Sequence, residues 1–315
     1  MNRRASVLAA LVALVAWLLG GDYAMAQMAL VLTYATAGLG LVLVVGQCGQ
    51  VSLGQGALLA LGAYAQTLLV AVGVPGPLAL PLAAALGAAG GWCAGLPARR
   101  LGGLHLAMST LAFALIVEEG LVRWESLTRG AAGMTVPPLA FGTWTVHAGW
   151  EQALVSAAVF AASLLLCRRC TASRLGRAWR ALREDEAAAA ACGIDPAAAK
   201  TQAFVLGGAL SALGGALYAH WIGFVSPEQF GLMLSFELLM LVFIGGGRHL
   251  AGALWGALVV VAIPQAISLF SDRLPAGFAT AAGLETMLFG AVVVAVILLR
   301  PGGVAAVPRG GAYGK

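Results

Sequence analysis

The sequence predicts an all-α, polytopic transmembrane helical bundle, and three observations carry that expectation. Of 315 residues, 61% are hydrophobic and only 10% are charged, against roughly 25% charged in a soluble domain, which excludes a water-soluble fold. The apolar residues fall in blocks of about twenty, the length an α-helix needs to cross a hydrocarbon layer of about 30 Å. The blocks also lack the period-2 alternation of a membrane barrel. Finally, Lys and Arg collect at alternate ends of the blocks, the asymmetry that orients helices in a membrane.

Cutting the chain at clusters of Gly, Pro and charge gives about ten spans, at 5–20, 24–46, 51–73, 77–97, 102–122, 151–168, 201–223, 232–246, 250–271 and 281–299. With the N-terminus placed in the cytoplasm, the inside segments hold 15 of the 18 Lys and Arg residues, leaving Arg123, Arg129 and Arg273 outside. Merging or adding one span scrambles that partition, so both termini are expected to be cytoplasmic. The first block has a second reading: Arg3 and Arg4, the apolar run Val7 to Leu19, and Ala24-Met25-Ala26 before Gln27 also satisfy the pattern of a cleaved signal peptide. An uncleaved helix is the favoured expectation.

The chain reads as a single transmembrane domain, 1–315, with two polar loops. The outer loop, 123–150, carries Pro137-Pro138 and several glycines and is expected to be irregular or a short re-entrant element. The inner loop, 169–200, is expected to be helical. Ser173 suits an N-cap, Leu175, Trp179, Leu182, Glu186 and Ala189 recur at spacings of three and four, and Gly193 and Pro196 supply a stop. One amphipathic helix over 174–192 is expected, with Trp179 available to a protein partner. The acidic run Glu184-Asp185-Glu186 disfavours the alternative of a basic helix lying on anionic lipid.

The 43 glycines, many inside apolar blocks, predict close helix packing, because small residues let backbones approach in lipid. The segments 57–62, ALLALG, and 209–214, ALSALG, are alike and fit the duplicated halves found in transporters. Cys48, Cys93, Cys167, Cys170 and Cys192 imply no disulfide framework, and the CxxC spacing at Cys167 lacks a second pair of zinc ligands. No metal, cofactor or nucleic-acid partner is expected, and no nucleophile elbow, HExxH or phosphate-cradling GxxxxGK[ST] is present. The chain itself is therefore expected to carry no enzymatic activity.

Two places concentrate polar groups within apolar surroundings. Gln47, Gln50, Ser52 and Gln55 alternate with Gly46, Gly49, Gly54 and Gly56, a composition that suits a broken or re-entrant helix offering backbone groups to a zwitterionic solute. A tight cytoplasmic turn with Gln at the interface explains them equally. Glu237 lies in an apolar block, where a carboxylate is costly and marks a candidate path or packing residue.

Several stretches together resemble a known family. Residues 180–194, RALREDEAAAAACGI, resemble the coupling loop of ABC importer permeases, with Gly193 one residue later than in that Glu-Ala-Ala motif. Residues 46–56, GQCGQVSLGQG, 223–231, GFVSPEQFG, then Ser235 to Glu237, 244–247, IGGG, and 298–303, LLRPGG, resemble in order the larger permease subunit of branched-chain amino-acid importers. The resemblance implies an inner-membrane permease paired with a second homologous permease, driven by cytoplasmic ATP-binding subunits and supplied by a periplasmic solute-binding protein. With the helical spacing of the inner loop it points to ATPase coupling through Trp179, Leu182, Arg183, Glu186 and Gly193, and the polar residues Gln47, Gln50, Ser52, Gln55 and Glu237 are the candidates for the path. A secondary transporter or channel for a small polar solute is the alternative, and a membrane-embedded enzyme a more distant one.

Overall fold

The computed structural model describes residues 3–141, 144–146 and 148–271, with Gly290, Val294 and Gly303 as isolated positions. The last expected span, 281–299, lies outside the described residues apart from two of those positions, as do Asp272, Arg273 and Glu285. Eleven α-helices fall within the described residues: α1 Arg3–Leu41, α2 Gln55–Ala71, α3 Gly76–Gly95, α4 Gly103–Arg123, α5 Glu125–Thr128, α6 Gly149–Ala172, α7 Arg174–Glu184, α8 Glu186–Ala191, α9 Pro196–Ile222, α10 Leu232–Gly245 and α11 Ala251–Ser271.

Six helical stretches are long and apolar enough to cross a membrane: Gly21–Gln47, Gly76–Gly95, Gly103–Arg123, Gly149–Ala172, Pro196–Ile222 and Pro227–Gly245. Gln55–Ala71 and Ala251–Gln265 are shorter and also apolar. The chain is an all-α, multi-pass membrane protein. Within α1 the backbone leaves helical geometry at Gly21, φ 56°, at the boundary the sequence sets between 5–20 and 24–46.

The bundle is organised around α9, which packs against α1, α2 and α3. Its glycines permit this. Gly208 lies against Gly87 and Gly91 of α3, Gly207 against Gly40 of α1, and Gly215 against the Leu59 carbonyl of α2; a Cβ on any of these glycines has no room. Where backbones meet this closely, dispersion replaces the hydrophobic drive that lipid cannot provide. The two similar segments, 57–62 and 209–214, lie on α2 and α9 and pack together, Gly62 facing Ala212. In contrast, α4 is the most open of the six stretches.

The loop joining α4 to α6 contains more structure than its composition predicts. Strand β1, Met134–Thr135, pairs antiparallel with β4, Phe224–Val225, with Met134 opposite Val225. Strands β2, Ala140–Phe141, and β3, Trp144–Thr145, form a short hairpin, and Trp144 Nε1 donates to Glu151 Oε1 at 2.9 Å. These ladders use backbone groups, so the side-chain pattern carries little sign of them.

Candidate functional site

The polar stretch after α1 is a break in the helical ladder. The chain ends α1 in a π turn, Val42–Gln47, in which Cys48 N–H donates to the Leu43 carbonyl and Gln50 N–H to the Val44 carbonyl, both at 3.0 Å. It then runs without regular structure to Gln55, the first residue of α2. Gln55 donates through Nε2 to Ser211 Oγ, and Ser211 stands about 22 Å along α9 from Pro196 at 1.5 Å per residue. Most of the irregular segment is covered by the bundle, with Gly49 exposed and Val51 and Leu53 half-buried, and non-helical chain is tolerated in a membrane where protein covers it.

Several of the groups at the break have specific partners. Leu53 N–H donates to Thr110 Oγ1 at 3.0 Å, Gly56 N–H to Ser235 Oγ at 2.9 Å, and Gly54 N–H to Ser52 Oγ at 3.4 Å. Gln47 Nε2 reaches the Arg248 carbonyl at 3.0 Å. Gln50 donates to the Cys48 carbonyl at 3.3 Å, while its Oε1 is buried with no partner, a deficit that ordinarily costs about 1–3 kcal/mol. Gln47, Gln50, Ser52 and Gln55 are all buried. They thus form one internal polar run beside Arg183 and Arg248 of the adjoining loops.

The loop between α6 and α9 departs from expectation in two respects. The single helix expected over 174–192 is two, because Asp185 leaves helical geometry, φ −159°, and caps a new helix by accepting from Ala187 N–H at 2.8 Å and Ala188 N–H at 3.0 Å. Ser173 caps α7 as predicted, accepting from Leu175 N–H at 3.2 Å. Gly193, φ 81°, ends α8 in the left-handed conformation, and Ile194 N–H bonds back to the Ala189 carbonyl at 3.1 Å. The second correction concerns Trp179. It is fully buried in its own chain, with Nε1 donating to the Ala199 carbonyl at 2.9 Å, and Leu182 is buried with it. The apolar stripe faces inward because the bundle offers it both apolar contact and a carbonyl. What points outward is the row Ala187, Ala188, Ala190 and Ala191 of α8 with Gly193.

Loop and break are directly joined. Arg183 Nη1 donates to the Gly46 carbonyl at 2.7 Å and Nη2 to Glu184 at 2.9 Å, which holds that exposed carboxyl below its ordinary pKa. Gly49, φ 73°, lies against the Arg183 side chain, leaving no space for a Cβ. Glu186 Oε2 pairs with Lys200 Nζ at 2.8 Å. Of the predicted residues, Gln47, Gln50, Ser52 and Gln55 therefore share a segment that touches Arg183, whereas Glu237 stands apart on α10. Glu237 is partly buried, within electrostatic reach of Tyr34 and Tyr218, and no hydrogen bond joins it to the glutamines among the described residues.

Thr110, Ser211 and Ser235 complete the polar run; Ser235 falls in a stretch that carries the family resemblance, whereas Thr110 and Ser211 carry no sequence signal beyond being hydroxyls in apolar blocks. Lys200 is one of the inside charges by sequence, and its place one turn into a helix whose following turns carry no Lys, Arg, Asp or Glu is the signal that marks it. The described residues contain no cluster able to hold a metal and present hydrogen-bonding groups rather than a nucleophile and base.

Fold and site together define a multi-pass membrane protein whose chemistry is passage. Residues 23–298 match the family described as branched-chain amino acid transport system / permease component. The chain is 31% identical to the high-affinity branched-chain amino acid transport system permease protein LivM of Salmonella typhimurium, over 98% of this chain and 76% of that protein. It is also 31% identical to LivM of Escherichia coli K12, over 89% and 69%. The permease protein LivH of Escherichia coli K12 is 28% identical over 75% and 82%. No solved structure matches. The chain belongs to the branched-chain amino acid transport permease family. It is a permease component of an ABC importer and not itself an enzyme, which sets aside the secondary-transporter and membrane-enzyme alternatives.

Proposed function

We propose that this chain, with a second homologous permease, forms the path by which branched-chain or related amino acids cross the bacterial inner membrane. Cytoplasmic ATP-binding subunits drive it, and a periplasmic solute-binding protein delivers the solute. The observation that carries this reading is the break at 42–54, a buried, irregular, glutamine-rich segment tied by Arg183 to the α7–α8 loop. Glutamine side chains and free backbone groups match the ammonium and carboxylate of an amino acid, and Gln50 Oε1 is an acceptor with no partner of its own. Gln47, Gln50, Ser52, Gln55 and Glu237 line or brace the path. Arg183, Glu186 and Gly193 belong to the ATPase-docking loop 169–200, with Trp179 and Leu182 shaping it from within, so the docking surface is the outward alanine row of α8.

The test is uptake of leucine, isoleucine and valine into vesicles holding both permeases and the ATPases, with the binding protein supplied. Uptake should require ATP and fall in Gln50→Leu and Glu237→Gln variants that still insert. Uptake that persists without the ATPases and collapses with an ion gradient overturns the reading.

Ten spans with both termini cytoplasmic follow from the charge partition, within one domain, 1–315. In that topology the loop 123–150 faces the periplasm. Reporter fusions after Arg100 and Lys200 should report cytoplasm and one near Gly142 the outside; one reversed site removes the ten-span arrangement.

A further inference from the structure

Lys200 lies in the second turn of α9 with its side chain 3% exposed, and its Nζ meets Glu186 Oε2 at 2.8 Å. A lysine so far from water is costly unless paired, so the buried ammonium fixes where Glu186 can stand. Two other bonds cross the same junction: Trp179 Nε1 to the Ala199 carbonyl at 2.9 Å, and Arg183 Nη1 to the Gly46 carbonyl at 2.7 Å. Cys48, fully buried at the end of the π turn, is within electrostatic reach of both Lys200 and Glu186. Three elements therefore converge: the start of α9, the α7–α8 loop, and the entrance to the broken segment.

The three links are not equivalent. The bonds from Trp179 and Arg183 hold α7. Helix α8, which carries the outward alanines, has six residues and one buried side chain, Ala189, and its ion pair is Glu186 to Lys200. We propose that Lys200 is a positioning residue that links α8 to α9, so that a displacement of the docking loop is transmitted to α9 and, through Ser211 and Gln55, to the broken segment. This rests on the importer reading. With the link cut, the ATPases still have their surface, but movement at that surface is no longer felt along α9.

The experiment uses the complete complex of both permeases and ATPases, reconstituted in vesicles with leucine-loaded binding protein. In Lys200→Met the ATPases should co-purify with the permeases. Stimulation by the loaded binding protein and ATP-driven uptake should both fall by roughly tenfold, the loss of a typical coupling free energy. Lys200→Arg, which keeps charge and donor, should recover most of both. Wild-type stimulation and uptake in Lys200→Met overturn the proposal. If that variant does not assemble, Lys200→Gln replaces it: an assembled, unstimulated complex supports the proposal, whereas an assembled, coupled complex or a second failure to assemble assigns Lys200 to folding alone and overturns it. A wild-type complex without ATP-dependent uptake sinks the importer reading instead, an outcome distinct from a coupled wild type with a coupled variant.

Discussion

Helix α9 and the α7–α8 loop are neighbours in sequence and are held to the rest of the chain by opposite means. Along α9 the contacts are backbone against backbone, with Gly207, Gly208, Gly214 and Gly215 each occupying a place where a Cβ meets another chain segment. In the loop the links are mainly directional: caps at Ser173 and Asp185, the Trp179 indole donor, arginine bonds from Arg180 to the Thr171 carbonyl and from Arg183 to the Gly46 carbonyl, and the ion pairs Arg183–Glu184 and Lys200–Glu186. Close packing has no intermediate position, because a small shift forfeits many contacts at once. A handful of polar links can break and reform. The difference separates a part built to stay rigid from a part built to be moved.

The largest effect should come from disturbing the rigid part. Gly62→Leu or Gly215→Leu forces α2 and α9 apart at Ala212 or Leu59 and should destabilise the bundle by about 3 kcal/mol or more. Thermal melting of detergent-purified protein reads this, with Gly120→Leu as control because open space surrounds Gly120. Equal melting of all three variants breaks the comparison. A smaller effect is expected in the loop from Glu186→Ala, which strands the buried Lys200 ammonium. Because Glu186 is itself half in water, the cost should be about 1–2 kcal/mol, below the range for fully buried pairs. Proteolysis between α7 and α9 should accelerate while the melting of the bundle holds. The smallest effect belongs to Trp179→Phe, which keeps most of the buried ring and leaves the Ala199 carbonyl without its donor; about 1 kcal/mol should appear as faster hydrogen exchange in α7. A shift in melting as large as that of Gly62→Leu would place α7 in the rigid part.

How much of this was legible follows from what each element depends on. The helices are readable because hydrophobic length and basic asymmetry are set by the bilayer, and the segments from 24–46 to 250–271 each coincide with a helix or a helical break. The polar run Gln47 to Gln55 stands out in the sequence because glutamines among glycines are unusual in an ordinary span. The orientation of Trp179 was not readable: periodicity shows that α7 has an apolar stripe, and only tertiary structure shows that the stripe is covered by the protein's own bundle. The break at Asp185 had a signal in hindsight, since Asp195 caps α9 the same way before Pro196, yet a run of helix-favouring residues on either side concealed it. The ladders β1–β4 and β2–β3 depend on backbone pairing between short, distant segments and left almost no mark.

The pairing of β1 with β4 has a mechanical consequence. Strand β4 follows directly after Gly223 at the end of α9, and Trp221, two residues earlier, donates through Nε1 to the Ala26 carbonyl at 2.8 Å. Helix α9 is thus gripped at both extremities, by Lys200 and Ala199 at one and by a strand ladder at the other. Its 27 residues make a shaft about 40 Å long at 1.5 Å per residue. The α7–α8 loop at one end and the α4–α6 loop at the other are therefore fastened to a single stiff rod, so that a pull on either is felt at the other only if the rod moves as one piece with its glycine-packed neighbours.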